Sequence, residues 1–236
     1  TTQLETDHAG AFIKFATKPG ETVTVKTASS FISLDMAELH LAGEIGSRSF
    51  EQIKKEAKDT WNAELGRIKI KGGTPDQQRT FYTALYRTLL FPRRLHETDP
   101  QGNILHWSAM NGKVEKGPMY TDNGFWDTFR CVHPFFTVMY PAMSGEIMQA
   151  LVNYYYEGGW MPEWCAPGYN DCMIGQHSTS LIADAYAKGI RNFDIDKAWE
   201  AMVKGANNEG PNATGRDGCE YYNRLGYIPY DAGKKE

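Results

Sequence analysis

NGFWDTFRCVHPFFTVMY (residues 123–140), EGGWMPEWCAPGYNDCMIGQHS (157–178) and STSLIADAYAKGI (178–190) carry the reading of this chain. Two apolar segments with helical spacing flank a loop crowded with Trp, Gly, Pro, Asn, Asp and His. Keeping such a loop for packing alone costs free energy, because each buried polar group needs a partner. Its composition is that of a sugar pocket on a helical scaffold. Aromatic faces cover the apolar face of a pyranose, while carboxylates, amides and imidazoles bind its hydroxyls.

Around this stretch the periodicity predicts helices over about 124–140, 145–157, 177–188 and 196–207. Pro134 is expected to bend the first. Ser144 is expected to cap the second, with Gly158-Gly159 ending it. Gly189 ends the third and Asp194 caps the fourth, and residues 208–236 read as loop. Upstream, Thr74-Pro75-Asp76-Gln77 starts a helix that runs to about Phe91. Residues 93–122 read as a long loop or small hairpin with a turn at Asp99–Asn103. A helix over 49–66 begins with the capping pair Ser49 and Gln52 and carries Phe50, Ile53, Ala57, Trp61 and Leu65 on one face. Before it, Ala11–Phe15, Thr22–Lys26 and Phe31–Leu34 alternate or run apolar around a Lys18–Glu21 turn, so residues 1 to about 42 read as strands. Three such strands make a thin sheet, which points to the end of a larger β-domain. Successive helices joined by long loops fit an α-hairpin toroid better than a bundle.

The totals exclude several classes. A hydrophobic share of 41% against 23% charged residues belongs to a folded protein. A net charge of -4 gives no basic footprint, so nucleic acid is not the expected partner. No apolar run reaches the roughly twenty residues that span a bilayer, and no signal peptide opens the chain. The four cysteines (Cys131, Cys165, Cys172, Cys219) form no CxxC pair. Cys165 and Cys172 either bridge across their loop or stay free thiols.

Trp126, Asp127 and Arg130 lead the chemistry. Asp127 and Arg130, three apart, are spaced for an ion pair. Alternatively, Trp126 stacks on a sugar while Asp127 accepts from two hydroxyls. In the loop, Trp160, Trp164 and Tyr169 are candidate stacking platforms, and Asn170, Asp171 and Gln176 are candidate hydroxyl ligands. His177 stands at a helix start, where its neutral form is favoured. The six histidines show no HxH or HExxH spacing, and no GxSxG elbow occurs. Glycoside hydrolysis needs two opposed carboxyl groups. Asp127, Glu163 and Asp171 are the candidates, and nothing in the sequence marks one of them as a raised-pKa acid. Asn212-Ala213-Thr214 matches a glycosylation sequon, a weak signal.

The run Trp126-Asp127-Thr128-Phe129-Arg130 with His133-Pro134, then Gly158 to Trp164, Cys172 to His177 and Ile182 to Ile190, resembles glycoside hydrolase family 92. The opening from Phe12 to Leu65 is also similar to that family's domain junction. The resemblance implies a calcium-dependent, exo-acting α-mannosidase that inverts the anomeric carbon, acting on terminal α-mannosyl linkages, of α-1,2 type, in mannose-containing oligosaccharides outside the cytoplasm. The implied fold is α+β by segments: the C-terminal part of an antiparallel β-sandwich (1–46), a helical linker (47–73) and about half of an (α/α)6 toroid (74–236). The family's motifs for the general acid, the calcium and the base pair do not occur here and are expected beyond Glu236. The chain is therefore expected to be an internal fragment, inactive alone and completed by the rest of a parent polypeptide, with calcium ligands outside it. Its expected contribution is a substrate wall of Trp126, Asp127, Asn170, Asp171, Cys172 and His177. A non-catalytic carbohydrate-binding module and a toroid-fold lyase or phosphorylase are the alternatives.

Overall fold

The computed structural model describes residue 10 and residues 12–232. The strands expected near the start do not form among these residues, and the run Ala11–Phe15 lies partly outside them. Residues 12–32 pair with no neighbouring strand, although the turn closes, Glu21 N–H donating to the Lys18 carbonyl at 3.1 Å. Alternation produces a strand only where the backbone finds a second ladder. Here Phe12 and Val25 stand exposed instead. The expected strand at Phe31–Leu34 gives way to helix α1 (Leu34–His40), because the Ser33 hydroxyl accepts from Met36 N–H and caps it. A π-helical stretch, Leu41–Ile45, continues it.

Helix α2 (Phe50–Leu65) has the expected capping box, Ser49 with Gln52, and stops at Gly66. None of its residues is fully buried, and its apolar face meets helix α3 (Pro75–Thr88) where Trp61 lies 4.6 Å from Tyr86. Helix α3 has the same box at Thr74 and Gln77 and ends before the expected Phe91.

Residues 93–122 are short strands. β1 (Arg93–Arg94) pairs antiparallel with β5 (Tyr120–Thr121), while β2 (Glu97–Thr98), β3 (Ile104–Trp107) and β4 (Val114–Lys116) form a meander. The Glu97 carboxylate ties the early segment to this meander, accepting from Ser30 Oγ at 2.6 Å and Phe31 N–H at 2.8 Å, with His40 Nε2 at 3.0 Å.

β6 (Asn123–Gly124) pairs with β7 (Trp164–Cys165), and the remainder is helical. The single bent helix expected over 124–140 is two: α4 (Phe125–Thr128) and α5 (Val132–Met139). Pro134 sits in the first turn of α5, where a missing N–H leaves no hydrogen bond unmade. Helix α6 (Pro141–Gly158) starts earlier than expected, with Pro141 at its first position. Ser144 is therefore inside the helix, buried and with its hydroxyl unpartnered, and is not the cap. Gly159 ends α6 in the left-handed region at φ 80°. Helices α7 (His177–Ala187) and α8 (Ile195–Asn207) fall where expected, α8 capped by Asp194. The tail expected as loop contains a further helix, α9 (Cys219–Leu225).

Helix α6 is central. Ile147, Met148, Leu151, Val152 and Tyr154 are buried against Phe136 of α5, Leu181 and Ile182 of α7 and Ala198 and Ala201 of α8. Burying side chains of this size gains about 1.5–3 kcal/mol each.

The far end of α6 is pinned to β3 by a buried pair. His106 Nε2 lies 2.9 Å from Glu157 Oε1, and His106 Nδ1 lies 2.9 Å from the Gly117 carbonyl. Burial pulls the imidazole down, Glu157 and the Gly117 carbonyl pull it up, and the net direction is up. The folded protein thus holds this proton to higher pH than the unfolded chain, where histidine titrates near about 6.5. The stabilisation is complete below that value and fades as pH rises through the folded one. By calorimetry, the thermal midpoint should fall as pH rises above about 6.5, and fall less in Glu157→Gln. Equal slopes in the two proteins would contradict this.

Candidate functional site

The site is built on the β6–β7 pair. Gly124 faces Trp164 across the ladder, and a Cβ at Gly124 would land on the Trp164 indole nitrogen. Only glycine lets the two strands close. One residue on, Phe125 N–H donates to the Glu163 carbonyl at 3.4 Å and starts α4. Asn123 holds α4 to α5: its Nδ2 lies 2.9 Å from His133 Nε2, and its Oδ1 accepts from Thr128 Oγ at 3.0 Å. Burial pushes the His133 imidazole down to about 4, so it is neutral and can accept.

Helix α4 presents Trp126 and Asp127 at the surface. The local ion pair between Asp127 and Arg130 is not made. The Arg130 guanidinium lies over the Trp126 ring at 4.6 Å and the Phe129 ring at 4.5 Å. Stacking on two faces keeps the guanidinium weakly hydrated and partly covered, an arrangement that suits arginine. No hydrogen bond or ion pair engages Asp127 among the described residues.

His177 is the first residue of α7. Its ring stacks on Phe129, centroids 4.2 Å apart and planes 6° from parallel, and meets Trp126 edge-on at 5.3 Å. Burial, and then the Arg130 charge, lower its pKa, so the imidazole is neutral. Its Nε2 is buried without a partner. A Cβ at Gly175 would come within 2.6 Å of that nitrogen, and Gly175 also has a φ of 92°. The loop before His177 therefore needs glycine at 175 to turn and to leave the ring its place.

Trp126 and His177 are thus brought together, with Asp127 beside them on α4. Asn170, Asp171 and Cys172 lie in the loop leading to them. Asn170 N–H donates to the Trp164 carbonyl at 3.0 Å and its side-chain amide to the Gly168 carbonyl at 3.3 Å. Asp171 and Cys172 are exposed. All four cysteines are free thiols, so Cys165 and Cys172 are not bridged. Cys165 is buried under β6, and burial pushes its thiol up to about 12.

Two of the candidate platforms are engaged elsewhere. Tyr169 braces the α6 terminus through its hydroxyl, which accepts from Trp160 N–H and lies 2.9 Å from the Tyr154 carbonyl. Trp160 lies under Lys204 at 4.3 Å.

Glu163 is the residue whose setting the sequence does not reveal. It is 6% exposed, and its Oε2 accepts from His177 N–H at 3.1 Å. Burial pushes its carboxyl up to about 9, against the opposing pull of that N–H. The signal was an acid inside the apolar run Gly159–Cys165, and burial alone gives it meaning. Phe129 and Arg130, which frame His177, likewise become visible only once α4 and α7 meet.

Among the described residues, no three His, Cys, Asp or Glu side chains gather as a metal site.

The family model of the glycosyl hydrolase family 92 catalytic domain matches residues 36–236, and the chain belongs to this family. It is 32% identical to an uncharacterized secreted glycosidase of Arthroderma benhamiae over 233 residues, covering 94% of this chain and 25% of that protein. Among solved structures, a family 92 inverting mannosidase from Bacteroides thetaiotaomicron superposes with a TM-score of 0.82 at 50% identity, over 85% of this chain and 28% of that one. A family 92 α-mannosidase from the same bacterium gives 0.75 at 27% identity, over 86% and 26%. The chain spans about a quarter of the length of these relatives.

The joint under the site makes a sharp expectation. Gly124→Ala should cost about 1–3 kcal/mol, the usual penalty of forcing bulk into a filled space, because Trp164 must move. Denaturant titration measures it. A midpoint equal to that of the unaltered protein would show that β6 and β7 have slack.

Proposed function

We propose that this chain is part of an exo-acting α-mannosidase that hydrolyses terminal α-mannosyl linkages of glycans, α-1,2 linkages among them, with inversion. The match to the family's catalytic domain over residues 36–236 carries the reading. The 50% identical relative is an inverting mannosidase, which supports the stereochemistry. The wall of Trp126, Asp127, Asn170, Asp171, Cys172 and His177 is the part of the substrate site this chain supplies. Trp126, partly exposed although Arg130 and His177 touch its ring, offers its remaining indole surface to the apolar side of the sugar. Asp127 offers two acceptor oxygens to vicinal hydroxyls, and His177 contributes a half-buried neutral ring whose Nε2 is turned inward beside Gly175.

In this reading residues 1–46 end an N-terminal β-sandwich, 47–73 link, and 74–236 are the first portion of an (α/α)6 catalytic domain. The general acid and base are expected beyond Glu236. Calcium, which the family resemblance implies, does not fit the acidic and imidazole groups described here, since no three of them gather. Its ligands are expected from polypeptide outside this chain. A site outside the cytoplasm, secreted or at the cell surface, agrees with the secreted glycosidase relative. No helix among the described residues is long and apolar enough to cross a membrane.

The test uses the full-length polypeptide with an α-1,2-linked mannobiose. Anomer-resolved NMR should show β-mannose as the first product, and excess EDTA should suppress release. Trp126→Ala should lower kcat/KM by about tenfold or more, at least about 1.4 kcal/mol of transition-state stabilisation. Release of an unsaturated sugar or a sugar phosphate would instead identify a lyase or a phosphorylase. Binding of mannosides without turnover would identify a binding module.

A further inference from the structure

Glu163 joins the two helix starts that form the wall. Its main-chain carbonyl receives Phe125 N–H, at the start of α4, and its side chain receives His177 N–H, at the start of α7. Trp126 follows the first contact by one residue, and His177 carries the second. We propose that Glu163 is a positioning residue for the substrate wall, fixing the first turn of α7 so that His177 stays stacked on Phe129 and edge-on to Trp126. The inference rests on the reading of that wall as the sugar contact.

The surroundings hold the side chain to this task. The cavity at the carboxyl, shared with Gln176, Ser178, Thr179 and Gly205, is about 10 Å³. That is about the space one water needs, too little for the side chain to swing into another rotamer. Gln176, the residue before His177, is itself tied to α8 through the Gly205 carbonyl at 2.7 Å. The first turn of α7 is therefore held on both sides.

No cation reaches the carboxyl from the packed elements. His177 turns its ring onto Phe129. Arg130, just after α4, lies on Trp126 and Phe129. Lys204 of α8 donates to the Gly159 carbonyl at 2.8 Å and covers Trp160. Arg216, in the loop after α8, lies over Tyr222. With burial pushing it up to about 9, Glu163 works at neutral pH as an uncharged acceptor. An amide carbonyl can do the same.

Three variants of the full-length enzyme test this. Glu163→Met keeps the volume and removes the acceptor. It should raise KM for the mannoside about tenfold and change kcat by less than about threefold, the pattern of lost uniform binding. Glu163→Gln keeps the acceptor and should restore KM to within about twofold. It should also flatten the thermal midpoint between about pH 5 and 9, where the unaltered protein loses stability because the unfolded chain has given up this proton while the folded protein still holds it. A Glu163→Met enzyme with an unchanged KM overturns the proposal, and so does a Glu163→Gln enzyme as impaired as Glu163→Met. Trp126→Ala separates the two readings. If it impairs kcat/KM while Glu163→Met leaves KM unchanged, only the positioning role falls; if Trp126→Ala is silent, the wall itself is wrong.

Discussion

The Glu163 carbonyl takes the N–H that opens α4, and the Glu163 carboxyl takes the N–H that opens α7. Helix starts carry unsatisfied N–H groups, and burying them without partners is costly. One residue meets this need at both ends. Neither α4 nor α7 has a side-chain cap on its own flanking residue. The aromatic cluster above them depends on the same bridge, since Trp126, Phe129 and His177 touch only while both helices start where they do. The β6–β7 pair beneath sets the distance between the two segments, and Gly124 lets that pair close over Trp164.

Helix α6 supplies the rigid floor. Buried along most of its length, it fixes α5, α7 and α8 at once. Its far end is joined to the meander through His106 and Glu157, and its terminus is braced by Tyr169. The loop from Ala166 to Gln176 is thereby suspended between fixed points. It carries Asn170, Asp171 and Cys172 outward while its ends stay in place. Loops on a fixed scaffold are where binding groups are commonly found.

What the sequence revealed and what it hid divide along one physical line. The capping boxes at Ser49 and Thr74 and the cap at Asp194 are bonds between residues three apart, so they can be read locally. The glycine stop at Gly159 is equally local. The strands read over the first 42 residues do not form among the described ones, because a strand needs a distant partner and alternation says nothing about whether one is present. Ser144 loses to Pro141 because two start signals stood close together and packing chose between them. In the site, the residue types of Trp126, Asp127 and His177 were readable as sugar-binding groups. Their juxtaposition came from pairing residues about forty apart, Asn123 with Cys165. Arg130 was spaced for Asp127 and instead covers the Trp126 and Phe129 rings of its own segment.

The electrostatics beneath the wall have a consistent sense. Burial lowers His133 to about 4 and raises Glu163 to about 9, and it lowers His177 as well. All three are uncharged near neutral pH, and the Arg130 charge is spread over ring faces. The buried layer thus holds its shape with neutral hydrogen bonds, which burial strengthens and salt does not screen. Asp127 is left as the acidic group on α4 with no hydrogen bond or ion pair among the described residues. In the proposed reading, a polyol on the Trp126 indole would satisfy that carboxyl without bringing an opposing charge against Arg130. An anionic ligand would crowd Asp127, and a cationic one would meet Arg130. A neutral sugar is the ligand class that this balance of charge admits best.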